Sequence, residues 1–251
     1  MRILLLVLPV LLVCACSSRY VRISGFRAEN LLHDIAERQH KIEQVKAVLD
    51  IRGTGLIGQL FHERADLIAK NPHFLLLSLR SFFDTPALML ASNGQYLTMF
   101  DFTGQSKTTY QKAVIGVDSL AKIFDWQFHP AALISIVLGC FPLNQAKDLE
   151  VSLRGELLRV TGDQAFAWHI TALYDQKSMN LKEITWQNHS LKISLCAQYR
   201  EYRLIDGHER AQLLVVKSTN PGGSLAFDLR FTDLEINGSP ILPDTFYLHP
   251  H

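Results

Sequence analysis

The chain has 251 residues, a length that fits one domain of the all-β or α/β type. Its 25 basic and 24 acidic residues give a formal net charge of +1, so the composition excludes a strongly basic nucleic-acid-binding protein. The hydrophobic fraction of 48% is sufficient for a large core and is also high enough to line a cavity.

The first fifteen residues have the pattern of an export signal. Arg2 supplies a positive charge, and residues 3–13 are apolar apart from one proline. That run is shorter than the roughly 20 residues that span a bilayer, and it has the length of a signal-peptide core. The next residues, Val13-Cys14-Ala15-Cys16, resemble a lipobox, in which the chain is cut before a cysteine that is then acylated. We therefore predict lipidation at Cys16, with an ordinary cleaved signal or an uncleaved anchor as the alternatives.

The predicted mature chain has a short tether at residues 16–26 and a single domain at 27–251. Apolar residues recur at three- and four-residue steps over 28–45, which predicts an amphipathic helix. Apolar and polar residues then alternate with a period of two, which is typical of half-buried strands, in successive runs that end near residue 113. Asn93-Gly94 between two of these runs is a strong hairpin signal, so the sequence predicts an antiparallel meander.

The middle of the chain is predicted to be helical. A short helix is expected at 118–127, and Pro130 is expected to open a second one. Residues 131–138 are apolar nearly all round but too short to span a membrane. This segment is therefore predicted either to be an ordinary core helix or to cover a cavity.

Strand patterns resume near Leu149, where 149–160 is read as one strand, and continue to residue 236. Twist makes an open sheet of this size curl, and a curled sheet needs material on its concave side. The predicted fold is mainly β with helices. It is a large curled antiparallel sheet, a half-open β-barrel of about 11 strands, closed by α-helices over an apolar cavity.

The motifs that would indicate catalysis are absent or out of context. Gly53-Thr54-Gly55-Leu56-Ile57-Gly58 matches a dinucleotide-binding fingerprint, but strands rather than a helix are predicted to follow it, so we interpret it as a hairpin bend. No nucleophile elbow, zinc-protease motif or phosphate-binding loop occurs. We expect no enzyme activity, no catalytic residues, no metal site and no cofactor.

Two apolar features are the candidate functional sites. Phe82 and Phe83 stand in a turn between the strands at 73–81 and 86–92, where polar residues are usual. They are predicted either to tuck into the core or to form a membrane-contact loop. The second feature is the inner wall of the sheet with helix 131–138, where apolarity selects as cavity-lining residues Leu49, Ile51, Leu77, Met99, Leu133, Val137, Leu195, Leu213, Phe227 and Leu229.

Two cysteines, Cys140 and Cys196, follow the lipobox. An oxidising compartment would permit a disulfide between them, and two free thiols are the alternative.

The order of these features resembles the LolA/LolB-like superfamily of lipoprotein carriers, in its outer-membrane lipoprotein branch. The resemblance covers about residues 27–248. It is carried by the lipobox, the N-terminal helix, the two meanders around an apolar helical insert, and the patterns Ala91-Ser92-Asn93-Gly94-Gln95-Tyr96 and Pro243-Asp244-Thr245-Phe246. It implies a half-open barrel whose apolar cavity holds acyl chains. It also implies an exposed apolar tip, which falls at Phe82-Phe83, where two aromatic residues replace the aliphatic tip of the family.

We therefore expect a lipoprotein anchored on the periplasmic face of a bacterial outer membrane that accepts or inserts lipoproteins or lipids. The expected partners are the membrane through the lipid anchor, the acyl chains of lipoproteins or lipids, and a soluble periplasmic carrier, with no nucleic acid. The alternatives are a non-catalytic scaffold lipoprotein of an envelope assembly, with a filled interior, and an envelope hydrolase. An empty apolar pocket would favour the carrier, and a buried carboxylate pair or a Ser–His contact in a cleft would favour the hydrolase.

Overall fold

The computed structural model describes residues 19–54, 60–81, 83–103, 109–114 and 130–248. The predictions made for Cys16, Phe82 and the helix at 118–127 lie outside these residues.

One large antiparallel sheet dominates the described chain. In chain order its first seven strands are β1 (Val21–Ile23), β2 (Gln44–Thr54), β3 (Leu60–Lys70), β4 (Phe74–Arg80), β5 (Pro86–Asn93), β6 (Tyr96–Asp101) and β7 (Thr109–Val114). The following seven are β8 (Lys147–Arg154), β9 (Leu157–Gln164), β10 (Trp168–Asp175), β11 (Leu181–Asn188), β12 (Ile193–Ile205), β13 (His208–Asn220) and β14 (Gly223–Ile236).

The sheet joins two meanders side by side. Its order is β1-β8-β9-β10-β11-β12-β13-β14-β2-β3-β4-β5-β6-β7, so the last strand of the second meander pairs with the first long strand of the first. In that junction Leu229 lies opposite Ile51 and Phe231 lies opposite Leu49. The described sheet is curled and not closed, since β1 and β7 stand at its two edges.

The sheet has fourteen described strands rather than about eleven. The segment predicted as one strand at 149–160 is a hairpin, because Gly155 adopts a positive φ of 59° and lets Arg154 pair with Leu157. Val21–Ile23, predicted as part of the tether, pairs with β8 as an edge strand.

Two α-helices lie in the described chain. Helix α1 spans Phe26–His40, so it ends five residues before the predicted boundary at 45 and leaves Gln44 to begin β2. Helix α2 spans Pro130–Leu138, where a helix opened by Pro130 was predicted. No described helix is both long enough and apolar enough to cross a membrane.

The inner face of the sheet and both helices form the main core. Ile35 of α1 and Leu138 of α2 are buried with inward-facing side chains from strands of both meanders, such as Leu67 and Ile184. The strand alternation that predicted one apolar face is therefore the alternation that fills this core.

A second layer covers part of the outer face. The C-terminal segment ends in a short 3-10 helix, Pro243–Phe246, which contacts β4 and β5. Phe246 is buried there against Phe74, with 5.1 Å between ring centroids. The C-terminal segment therefore covers part of the outer face of β4 and β5, where apolar residues such as Phe74 can be buried.

The two cysteines are free. Cys140 is buried just after α2, whereas Cys196 is half-buried on β12 between the buried residues Leu195 and Ala197. Since successive strand residues face opposite sides of a sheet, Cys196 lies on the outer face.

Candidate functional site: two cavities along helix α2

An apolar cavity of about 420 Å³ lies between α2 and the inner face of the sheet. Every described lining residue except Glu63 is aliphatic or aromatic. They are Leu49, Ile51, Glu63, Leu67, Leu75, Leu77, Leu79, Leu88, Leu90, Leu133, Ile136, Val137, Val216, Leu225, Phe227 and Leu229. This volume falls in the range of about 300–1,000 Å³ that is typical of small-molecule sites. An apolar cavity of this kind offers water few hydrogen-bond partners, so its natural occupant is an apolar group.

The register of the strands explains why these residues share one wall. Residues opposite each other in an antiparallel pair point to the same face, so Leu77 and Leu90, which are paired, face the cavity together. The pair Ile51 and Leu229 does the same at the junction of the two meanders. Helix α2 supplies the remaining wall because Leu133, Ile136 and Val137 fall on one helical face.

Seven of the ten residues selected from the sequence lie on this wall: Leu49, Ile51, Leu77, Leu133, Val137, Phe227 and Leu229. Met99 and Leu195 are buried in the main core but do not line this cavity. Leu213 lies opposite Arg230 on the outer face, and its neighbour Leu214 is the inward residue. Two consecutive leucines give no apolar–polar alternation at that point, so Leu213 was wrongly predicted to face inward.

The C-terminal end of α2 is held by side chains of the second meander. Tyr199 donates a hydrogen bond to the carbonyl of Ile136 at 2.9 Å. Arg210 donates through Nη2 to the carbonyl of Val137 at 2.8 Å and through Nη1 to that of Leu138. The last carbonyls of a helix have no partner within it, and a positive charge there interacts favourably with the helix dipole.

Gly139 makes this close approach possible. It has a positive φ of 65°, and its N–H donates to Ile136, while the N–H of Cys140 donates to Ser135, as in a Schellman motif. A Cβ added at Gly139 would lie 3.0 Å from Nη1 of Arg210. A side chain at 139 would therefore strain the backbone and crowd the guanidinium.

A second cavity, which we call the polar pocket, begins where α2 ends. It has a volume of about 360 Å³. The residues that line it come from the end of α1, the segment just after α2, the β10–β11 turn and its flanking strands, β12, the β12–β13 turn and β13: Ile35, Arg38, Gln39, Lys41, Ile42, Gly139, Cys140, Tyr174, Met179, Asn180, Leu181, Tyr199, Tyr202, Gly207, His208, Glu209, Arg210, Ala211 and Leu214.

Burial raises the pKa values of four groups in the polar pocket. Desolvation raises the pKa of Cys140 to about 11, although the charge of Arg210 lowers it in part. Desolvation also raises the pKa values of Tyr174, Tyr199 and Tyr202 above that of a free tyrosine. The three phenols and the thiol are therefore neutral at physiological pH.

The turn between β4 and β5 presents Phe83 to solvent. The side chain of Phe83 is 83% exposed. The base of the turn is braced by Arg80, which pairs with Asp66 and with Asp84, the latter at 2.8 Å. The hydrogen bond from Arg80 lowers the pKa of Asp84, so this pair remains charged at neutral pH. Leu79, which precedes this turn, lines the apolar cavity, so the exposed ring stands near one end of the cavity.

A buried carboxylate pair, one of the features expected of a hydrolase, does not occur among the described residues. Their buried polar side chains include no aspartate, glutamate or histidine. They also contain no group of three or more His, Cys, Asp or Glu side chains that could hold a metal ion. The glycine-rich segment after Gly53 lies largely outside the described chain.

The polar pocket was not anticipated from the sequence. His208-Glu209-Arg210 follows a turn and has the composition of a solvated strand end. The only sequence signal was the helix prediction itself, because a buried helix end needs donors for its last carbonyls.

Comparisons with known proteins place the fold. Neither a protein-family model nor a curated protein sequence matches the chain. Among solved structures, a LolA superfamily protein from Nitrosomonas europaea is similar over 88% of this chain and 97% of its own, with a TM-score of 0.55 and 11% identity. A putative outer membrane lipoprotein-sorting protein domain from Vibrio parahaemolyticus is similar over 86% of this chain and 94% of its own, with a TM-score of 0.56 and 10% identity.

A DUF1329 family protein from Desulfovibrio piger is similar over 88% of this chain and 95% of its own, with a TM-score of 0.56 and 10% identity. At these identities the likeness concerns the fold, and it extends over nearly the whole of each relative. The chain therefore shares the fold of these three proteins, one of which is a LolA superfamily protein.

Proposed function

We propose that this protein is a membrane-anchored lipoprotein that binds acyl chains in its apolar cavity and accepts or inserts lipoproteins or lipids at the outer membrane. The observation that carries the proposal is the cavity of about 420 Å³, with a wall that is apolar except at Glu63. A scaffold with a filled interior would have side chains packed at native density in this space. The fold shared with a LolA superfamily protein and a lipoprotein-sorting domain supports the same function.

The energetics of acyl transfer suit such a protein. Each buried CH₂ group contributes roughly 0.8 kcal/mol, whether it lies in a protein cavity or in a bilayer. Transfer between the two is therefore nearly neutral and needs contact rather than chemical energy. An anchored protein cannot shuttle across the periplasm, so we place it at the receiving membrane, on the periplasmic face, with a soluble carrier as the donor.

The direct test is to identify what the protein carries. The mature chain with Cys16→Ala would be exported behind an ordinary cleavable signal peptide in place of residues 1–15, so that it reaches the periplasm processed and without an anchor. It would be isolated without detergent, and the bound lipids would be extracted and analysed by mass spectrometry. We expect acylated molecules in a defined ratio to protein. Recovery of lipid no greater than from a periplasmic protein without an apolar cavity would contradict the proposal and favour the scaffold.

The lipid anchor is tested by fractionation of cells. We expect Cys16→Ala to release the mature protein from the membrane or to leave it unprocessed, since two or more attached acyl chains give stable anchoring and none remain in the variant. The measurement is immunoblotting of membrane and soluble fractions. Mature Cys16→Ala protein that still sediments with membranes as the wild type does would rule out anchoring at this cysteine.

We propose that Phe82 and Phe83 contact the membrane during delivery. An aromatic ring buries roughly 150–250 Å² when it finds an apolar partner. At about 25 cal/mol per Å² each ring contributes several kcal/mol before the cost of ordering the loop. The double change Phe82→Ser, Phe83→Ser should therefore slow delivery of an acyl probe to liposomes by about ten-fold or more, with probe affinity nearly unchanged.

The matched control is Phe26→Ser, which removes a similarly exposed ring at the start of α1. It should leave delivery within about two-fold of wild type, since an isolated exposed ring has little effect. If Phe26→Ser slows delivery as much as the double change, general surface apolarity explains the effect and the membrane-contact loop does not.

A further inference from the structure

The polar pocket holds a buried cation that has no acidic partner among the described residues. Arg210 is only 7% exposed. None of the ion pairs between described residues involves it. An isolated buried charge is costly, so an arginine in this position requires compensation.

The end of α2 compensates the charge only in part. A helix C-terminus carries the equivalent of about half a negative charge, against the full positive charge of the guanidinium. A guanidinium has five N–H donors, and the carbonyls of Val137 and Leu138 account for two of them. The Nε atom is buried and has no hydrogen-bond partner among the described residues. The Arg210 guanidinium therefore keeps N–H donors that the α2 carbonyls do not use and positive charge that the helix end does not compensate.

The other charged side chains that line the polar pocket are also mainly positive. Arg38 and Lys41, near the end of α1, line it and carry two further positive charges, whereas Glu209 is its only described carboxylate. His208 also lines it. Tyr174, Tyr199 and Tyr202 are held neutral by burial, so they add no negative charge.

We propose that the polar pocket is an oxyanion site, in which a phosphate or carboxylate group binds to the donors of Arg210 that the α2 carbonyls leave free. A planar guanidinium matches the geometry of these anions, and Arg38 and Lys41 attract the anion toward the pocket. The site is distinct from the apolar cavity and does not depend on acyl binding. It nevertheless adjoins that cavity, because Val137 lines the apolar cavity through its side chain and accepts from Arg210 through its carbonyl.

The experiment titrates inorganic phosphate into the mature Cys16→Ala protein in chloride buffer, with calorimetry as the readout. Arg210→Lys keeps the charge but loses the planar fork, so binding should weaken by about ten-fold or more. Since Arg210 also supports α2, Lys41→Glu provides a second variant at an exposed position. It should weaken binding by about three- to ten-fold. The matched control is Lys217→Glu, an equal change on the exposed face of β13, which should stay within about two-fold.

No phosphate binding at millimolar concentration would overturn the oxyanion site. Equal weakening by Lys41→Glu and Lys217→Glu would also overturn it, since net charge alone would then explain the effect. Dodecyl phosphate separates the two sources of the anion. If dodecyl phosphate binds more tightly than inorganic phosphate and its binding depends on Lys41 to the same extent, the site binds the head group of an amphiphile. If the two affinities are equal, the site binds a free anion. Neutral dodecyl glucoside reports on the apolar cavity alone, so failure of acyl binding is distinguished from failure of this site.

Discussion

We expect Val137→Asp to weaken binding of a fluorescent fatty acyl probe by about 100-fold or more, because placing a polar or charged group in a dry apolar cavity costs several kcal/mol. Val137 is buried on α2 and its side chain lines the apolar cavity. The measurement is probe fluorescence titrated with the mature Cys16→Ala protein, with and without the substitution. Circular dichroism of the same samples shows whether the sheet and helices remain.

Two further variants distinguish loss of the cavity wall from loss of the fold. Val114→Asp makes the same substitution at a strand position that is 71% exposed, and it should leave affinity within about two-fold, since surface changes have small effects. Leu133→Trp keeps the wall apolar but fills part of the cavity, so it should weaken binding of the probe without adding charge. Unchanged probe affinity in both Val137→Asp and Leu133→Trp would mean that the probe binds elsewhere and would remove the main support for the carrier function.

The inner wall of the cavity was predictable because strand alternation reports which face each residue takes. Leu77, Phe227 and Leu229 were selected on apolarity alone, and all three line the cavity. Alternation does not show where along the curled sheet the cavity lies. Met99 and Leu195 are buried in the main core, yet strand curvature and α2 place the cavity elsewhere. Where two leucines are consecutive, as at Leu213 and Leu214, alternation does not show which of them faces inward.

The polar pocket depends on contacts that the local sequence does not encode. It joins the end of α1, the end of α2 and the β12–β13 turn, which are far apart in the chain. The burial of Arg210 follows from the place where α2 ends against β13, which is a tertiary property. The hairpin at Gly155 was missed for a local reason, since one glycine within a continuous strand pattern also fits a bulge.

The covered outer face of β4 did leave a signal in the sequence. Phe74-Leu75-Leu76-Leu77 has no polar alternation, which is typical of strands buried on both faces. No sequence pattern indicated which segment covers that face. Phe246 stands beside a polar run at Pro243-Asp244-Thr245, so its burial becomes evident only in the fold.

Phe246→Ala should therefore destabilise the protein far more than its position near the C-terminus suggests. Phe246 is 2% exposed and its ring packs against Phe74 at a centroid distance of 5.1 Å. Loss of a buried phenylalanine costs about 3–5 kcal/mol, from lost burial and from the cavity that remains. A change of 1 kcal/mol shifts the melting temperature of a domain of this size by about 2–4 °C, so the expected decrease is on the order of 10 °C.

The control is Phe83→Ala, the same substitution at a ring that is 83% exposed. It should shift the melting temperature by no more than about 2 °C, since exposed side chains contribute little to stability. Thermal unfolding followed by circular dichroism measures both variants in the Cys16→Ala background. If Phe83→Ala lowers the melting temperature as much as Phe246→Ala, the β4–β5 turn belongs to the folded core. That result would contradict the proposed membrane contact. If Phe246→Ala leaves the temperature unchanged, the C-terminal segment does not hold the outer face of β4 and β5, and the apolar residues there must be covered by another part of the chain or by a partner.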